Sequence, residues 1–236
     1  DLVVGAVPGF MGYDILKNII EAQINIVDIS FMPEDSTQLN DLAKKNNVIA
    51  ITDTGVAPGL SNLIFGLMYK EYDYLDTAKC YVGGLPQLPQ PPWLYKSVFS
   101  PIDVIEEYTR PARIMQKGNL VIKEAMTDIE TVYFDNIGDL DAFNSDGLRS
   151  LLNLPIPNMV EKTLRYSGHI QKIIEMKNQG LFEPNIINET AKSLFEEWES
   201  KKDDYDQTIM RLEFIGEKNS NFVSERYDLV DYYDFF

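Results

Sequence analysis

At 236 residues with 44% hydrophobic side chains, the chain has material for one large core or two smaller ones, which excludes a disordered protein. Its 37 acidic against 21 basic side chains leave a formal charge of −16, which argues against nucleic acid or an anionic membrane surface as the main partner, so any anionic ligand must be held by a few local cations. The one cysteine, Cys80, rules out an intrachain disulfide and fits a reducing compartment; with no apolar run near the roughly 18 residues that span a bilayer, and no basic signal-peptide start, a cytoplasmic protein is expected.

Residues 1–7 read as a buried strand that opens without lead-in or start methionine, as in a piece of something longer. Residues 14–22 follow as a helix (Ile15, Leu16, Ile19, Ile20), 25–30 as a strand, 34–46 as a helix and 48–52 as a strand. Strands alternating with helices imply parallel pairing through right-handed crossovers, hence one mononucleotide half of a doubly wound sheet. The turn at 5–12 holds three glycines and could pass for a phosphate loop with Asp28 as the ribose acid. Against that, its spacing is not G-x-G-x-x-G, Pro8 removes an N–H, and Asp28 trails the last glycine by sixteen residues, so a tight strand-to-helix turn beside a ligand is the plainer reading.

The chain pivots on residues 53–62, Asp-Thr-Gly-Val-Ala-Pro-Gly-Leu-Ser-Asn, between the third strand and a helix expected over 59–69. Asp53, where a strand ends and a helix begins, occupies the edge at which open α/β sheets bind ligands. Gly55, Pro58 and Gly59 specify the turn.

Beyond residue 69 the beat changes. A strand is expected over 78–83, then a proline-heavy stretch at 84–93 that reads as a lid over the site or as a plain surface loop, then a helix at 101–108 with Ser100 as its cap. A hairpin joins 113–116 to 120–123, with a further strand at 130–135. Next come a helix at 146–153 capped by Ser145, a strand at 159–166, a helix at 168–178 closed by Gly180, a helix at 189–201 and a strand at 208–216. The tail, 224–236, interleaves five aromatics with acids and reads as an edge strand or as an aromatic face that needs a partner subunit. The fold class expected is therefore α/β: a partial Rossmann domain (second mononucleotide half, parallel sheet) over 1–56, then an α+β substrate-binding and dimerisation domain with a mixed sheet over 57–236.

Seven motifs in order (VVGAVPGFMG, VDISFMPED, ITDTGVAPGLSN, VGGLPQLP, FSPIDVIEEYTRPAR, FNSDGLRSLL and EKTLRYSGH) resemble the saccharopine dehydrogenase-like family, within it the L-lysine 6-dehydrogenase branch. The likeness covers residues 1 to about 180 well. It implies an NAD- or NADP-dependent oxidoreductase. By the same likeness Val7, Pro8 and Gly9 would approach the nicotinamide ribose and pyrophosphate, Ser30, Phe31 and Met32 would border the ring, and Arg149 would grip an amino-acid carboxylate. Saccharopine reductases tend to carry an acid where Ala57 stands, and its loss favours the lysine 6-dehydrogenase branch. The family's phosphate-binding glycine loop has no counterpart in this sequence, so the preference between NAD and NADP is not legible.

The chemistry defines the residues to look for. An amine that yields hydride to a nicotinamide must first be neutral, and a lysine amine with a pKa near 10.4 needs a base to strip its proton. Asp53 qualifies by position and His169, the one histidine, by type; at a helix start the dipole favours a neutral imidazole. For each there is a plain alternative: an aspartate that ties down the next turn, a histidine that ties down its surroundings. A substrate carboxylate calls for a guanidinium fork, for which Arg149 and Arg165 are candidates, with Lys162 beside them. Lys162 and Arg165 alternate along one strand, so at most one faces a pocket, and either could instead pair with structural acids. No transition-metal set is recognisable. Three readings compete: oxidative deamination of lysine or a similar amine, reductive condensation of the saccharopine or carboxynorspermidine type, and a noncatalytic ligand-binding and dimerisation module. A homodimer is expected, with a small amino acid as partner and neither nucleic acid nor membrane.

Overall fold

The computed structural model describes residues 1–97, 101–202 and 204–233. The chain divides into two compact units, Asp1–Leu67 with Arg149–Asn153, and Met68–Leu148 with Leu154–Phe236. In the first unit β1 (Leu2–Gly5), α1 (Gly9–Glu21), β2 (Asn25–Asp28), α2 (Asn40–Lys45) and β3 (Ala50–Ile51) follow in turn. The strands pair in the order β1-β2-β3, all parallel, as the β-α-β-α-β pattern requires. Leu16 and Ile20, four residues apart on α1, pack with Ile26, Met32, Leu39, Ala43 and Val48 as the core on one face of the sheet.

Two elements are shorter than their patterns suggest, because side chains replace backbone pairing. The helix expected over 34–46 opens instead as a 3-10 turn, Ser36–Leu39, in which the Asp35 carboxylate accepts from Thr37 N at 3.0 Å, and only then becomes α2. The strand expected over 48–52 keeps two residues: Ile49 N donates to Asn25 Oδ1 at 2.9 Å and Thr52 Oγ1 bonds Ser36 Oγ at 2.9 Å. The helix α3 (Leu60–Glu71) starts at the turn held by Gly59, whose φ of +146° and approach to Gly55 O, 1.8 Å from a hypothetical Cβ, admit only glycine.

The second unit contains β4 (Tyr74–Pro86), α4 (Pro101–Thr109), β5 (Ala112–Gln116), β6 (Asn119–Lys123), β7 (Glu130–Phe134) and β8 (Gly138–Asn144), then β9 (Asn158–Tyr166), α5 (His169–Asn178), α6 (Ile187–Trp198), β10 (Asp206–Lys218) and β11 (Asn221–Tyr232). Its eight-stranded sheet runs β11-β10-β4-β9-β5-β6, with β8 on β9 and β7 on β8; β4 and β9 pair in parallel and the other pairs are antiparallel, so the sheet is mixed, as expected. Tyr108, Phe134, Phe143, Leu164, Ile170 and Trp198 centre the core.

Several local expectations are corrected. β4 continues through 84–86, which pair with β10, so the proline-heavy loop starts later. β8 was not foreseen; its sequence Gly-Asp-Leu-Asp-Ala-Phe-Asn carries a buried Asp141 that accepts from Ser167 Oγ at 2.9 Å and Gly168 N at 3.3 Å. The helix expected over 146–153 is a 3-10 turn, Arg149–Asn153, because Arg149 has φ of 47°, in the left-handed region. Ser145 therefore caps no helix; its hydroxyl accepts from Thr163 Oγ1 at 2.7 Å. Gly147 lies flat against Glu161, whose Oε2 would be 1.2 Å from a Cβ. The tail forms the edge strand β11; residues 234–236, like the expected cap Ser100, lie outside the described residues.

Candidate functional site

Three loops leave the carboxyl ends of β1, β2 and β3, and polar side chains join them. At the end of β2 the buried Asp28 accepts from Ser30 N at 3.0 Å and Ser30 Oγ at 2.7 Å. Ser30 Oγ in turn accepts from Val7 N at 3.2 Å, which fixes the loop after β1. Thr54, after β3, donates through N and Oγ1 to Asp28 O at 3.3 and 2.9 Å. Asp28 thus anchors all three loops.

Asp53 and Arg149 form the second layer. Arg149 Nε donates to Asp53 Oδ1 at 2.8 Å, its Nη1 to Met32 O at 2.5 Å, and its guanidinium lies 5.0 Å from the centroid of Phe31. Ser150 Oγ donates to the other Asp53 oxygen at 3.0 Å and accepts from Asn62 Nδ2 at 2.8 Å; Asn62 Oδ1 accepts from Gly59 N at 3.1 Å. Both charged side chains are 6% exposed. Arg149 Nη2 donates to nothing among the described residues. Asp53 and Arg149 both hold left-handed backbone, with φ of 56° and 47°.

The other sequence candidates lie in the second unit. Arg165, on β9, donates from Nε to Tyr108 Oη at 3.1 Å, from Nη1 to Leu164 O at 2.8 Å and from Nη2 to Glu107, and lies 4.5 Å from the centroid of Tyr95. His169, at the start of α5, is fully buried between Trp93 O, 2.8 Å from Nδ1, and Tyr108 Oη, 2.9 Å from Nε2. A carbonyl can only accept, so Nδ1 carries the proton, Nε2 accepts from the Tyr108 hydroxyl, and that oxygen accepts from Arg165. Burial, with the Arg165 charge second, pushes the His169 pKa from about 6.5 down to about 3, and the ring is neutral at pH 7. Lys162 lies elsewhere on β9, 2.6 Å from Glu130 and 2.5 Å from Asp128 O. Its partners differ entirely from those of Arg165, as strand alternation requires.

The structure therefore brings Phe31, Met32, Asp53 and Arg149 into one cluster, ties Val7 to Ser30 beside it, and gathers Arg165 and His169 into a separate buried network. Catalysis by His169 as a base would require the Nε2 hydrogen bond from Tyr108 to open, since Nδ1 already carries the proton. Sequence reasoning did not single out Ser150, Asn62, Tyr108 or Glu107. All four sit inside the quoted motifs, and Tyr108 and Glu107 also fall in the helix expected over 101–108, but nothing in those motifs marked them out. For a dinucleotide the fit is partial. Val7 N is committed, Pro8 has no N–H, and the Gly12 Cβ position is blocked by Ser30 and Met32, so the first loop is no phosphate cradle. The amino end of α1 carries no side-chain cap and suits a single anionic group.

A parallel half-sheet with polar loops at its carboxyl edge, followed by a mixed sheet, defines an α/β protein of dinucleotide-binding type. The chain belongs to the saccharopine dehydrogenase-like family: the model of the saccharopine dehydrogenase C-terminal domain matches residues 55–234. It is 24% identical over 212 residues to the mouse mitochondrial alpha-aminoadipic semialdehyde synthase, across 81% of this chain and 22% of that protein. The Arabidopsis thaliana alpha-aminoadipic semialdehyde synthase is 21% identical across 82% of this chain and 20% of its own length. The chain thus spans about a fifth of these relatives. The apo saccharopine dehydrogenase (L-Glu forming) of Saccharomyces cerevisiae shares the fold with a TM-score of 0.76 at 15% identity, over 98% of this chain and 71% of that one. Among the described residues no helix is long and apolar enough to cross a membrane, and no acidic, histidine or cysteine cluster could hold a metal.

Proposed function

We propose that the chain forms the substrate side of an NAD- or NADP-dependent oxidoreductase that acts on a C–N bond of lysine or a lysine-like amine, in a cytoplasmic homodimer whose dimer contacts lie within residues 57–236. The observation that carries this reading is Arg149: Asp53 and Met32 fix two of its nitrogens while Nη2 keeps its donors for a ligand carboxylate, at the sheet edge where such ligands bind. Bound there, a nicotinamide would supply the hydride acceptor, and Val7, Pro8, Gly9, Ser30, Phe31 and Met32 would hold it. Asp53 is the better candidate for the base because it shares the cluster with Arg149. Its two oxygens accept from Arg149 and Ser150, which fixes where it points, and a substrate ammonium can compete for the same lone pairs. Arg165, Lys162 and His169 hold the second unit in shape.

A second reading, reductive condensation of the saccharopine type, is favoured by the relatives themselves, since alpha-aminoadipic semialdehyde synthases and a saccharopine dehydrogenase stand among them. Absorbance at 340 nm in the full-length protein separates the two. A rise with L-lysine plus NAD or NADP supports deamination; a fall with NADH or NADPH that needs both an aldehyde and an amino acid supports condensation. Absence of both, with no cofactor bound, leaves a noncatalytic binding module.

A further inference from the structure

The strand β11 ends the larger sheet, and its outer side has no neighbouring strand among the described residues. It is 12 residues long, and an open edge of that length is ordinarily covered or blunted. We propose that β11 pairs antiparallel with β11 of a second copy of this chain, centred on Tyr227, so that two sheets join edge to edge. The proposal rests on the homodimer reading above and assigns its surface.

The register follows from charge. A two-fold axis normal to the sheet keeps each face on its own side, so it must pass through a residue rather than between two. Centred on Tyr227, it sets Arg226 opposite the partner's Asp228 and Phe222 opposite the partner's Tyr232, each twice by symmetry, and no like charges face each other. Moving the centre one residue back sets Arg226 against itself; one residue forward sets Asp228 against itself and Glu225 against the partner's Asp231. Arg226 Nε already lies 3.5 Å from Asp228 Oδ2 of its own chain, and the proposed register would extend that pairing across the two-fold axis. Phe222 is 77% and Tyr232 47% exposed, and the Arg226 side chain is 58% exposed. Asp228 is held in place by Arg211, at 2.7 and 2.8 Å.

The backbone agrees with this pairing. Asn219 and Ser220, with φ of 53° and 61°, make a two-residue turn between the paired Lys218 and Asn221. Counting outward from that closing pair, the alternation of an antiparallel ladder turns the N–H and C=O groups of the even-numbered residues of β11 away from β10. Those residues, Phe222 to Tyr232 by twos, are the ones the proposed register pairs.

The test combines sedimentation of the chain and of Arg226→Glu with cross-linking of a Phe222→Cys/Tyr232→Cys double variant by a short bismaleimide; the native Cys80 is buried and will not react. A dimer whose dissociation constant rises about tenfold in Arg226→Glu is expected, because two attractive contacts become repulsive. The double variant should cross-link between chains and each single variant should not, since equivalent positions lie roughly 30 Å apart along the ladder. A dimer that tolerates Arg226→Glu and does not cross-link overturns the β11 pairing while leaving the homodimer reading intact. A chain that stays monomeric at every concentration overturns both. If Arg226→Glu fails to fold, the cross-linking alone decides.

Discussion

Two arginines of this chain look alike in sequence and differ in what they leave undone. Arg165 has all three nitrogens engaged, by Tyr108, Leu164 and Glu107, and sits on the regular backbone of β9. Arg149 has Nη2 unengaged among the described residues and sits on left-handed backbone, paired with an aspartate in the same strained region. Backbone outliers of this kind cost on the order of 1–3 kcal/mol and persist where surrounding structure enforces them, which is common at ligand sites. A saturated buried guanidinium describes a strut; an unsaturated one on strained loops describes a hand. Substitutions can break or sharpen this contrast.

The largest expected effect is Arg165→Met. It strands Glu107 and removes the donor to Tyr108, and breaking a buried pair from one side costs about 3–5 kcal/mol. Urea denaturation measures it. A loss below about 1 kcal/mol would mean that the network is not structural and would reopen Arg165 as a ligand residue.

The His169 network predicts a pH dependence next in size. Because its pKa in the fold is about 3 against about 6.5 ordinarily, the unfolded chain takes up a proton that the folded chain refuses. The contribution is complete above pH 6.5 and falls as pH drops toward 3, by about 2 kcal/mol at pH 5. His169→Asn removes the titrating group, so its stability should change less between pH 7 and 5 than that of the parent, by about that amount. Parallel curves from chemical denaturation would refute the neutral buried ring.

How much of this was legible depends on whether partners are local. The β-α-β-α-β half reads directly, since helical and strand spacing are carried within each element, and so does the mixed sheet. The strand β8 hid because Asp139 and Asp141 interrupt its apolar pattern; the buried Asp141 is satisfied by Ser167 and Gly168, in the turn just after β9. Arg149 was identified by likeness, but nothing in its neighbours shows that 149–153 join the first unit, because Asp53, 96 residues earlier in the chain, makes the contact. His169 was plausible as a base from its helix start, yet the residues that occupy its ring, Trp93 and Tyr108, lie 76 and 61 residues away.

Arg149→Lys tests the other side of the comparison. A lysine cannot hold Asp53 and Met32 O and still present a planar fork, so stability should fall by about 1 kcal/mol. If Nη2 receives the substrate carboxylate, KM for the amino acid should rise about tenfold or more, with a smaller change in kcat. Equal losses in kcat and kcat/KM would instead assign Arg149 to holding Asp53 in place for proton transfer.

The smallest effect belongs to Ser30→Ala, where the two kinds of role separate within a single hydroxyl. Ser30 Oγ donates to Asp28 and accepts from Val7 N, so its loss takes one of the hydrogen bonds from Asp28 Oδ1 and removes the acceptor of Val7 N, at about 1 kcal/mol. Asp28 retains Ser30 N and the Thr54 contacts to its carbonyl, which keep β2 and β3 joined. The loop at Val7, Pro8 and Gly9 loses the tether from Val7 N to Ser30. If that loop meets the cofactor, cofactor affinity should weaken about five- to tenfold while the stability loss stays small, and Ser30→Thr, which restores the hydroxyl, should recover it. Unchanged cofactor affinity in Ser30→Ala would place the dinucleotide away from this edge of the sheet.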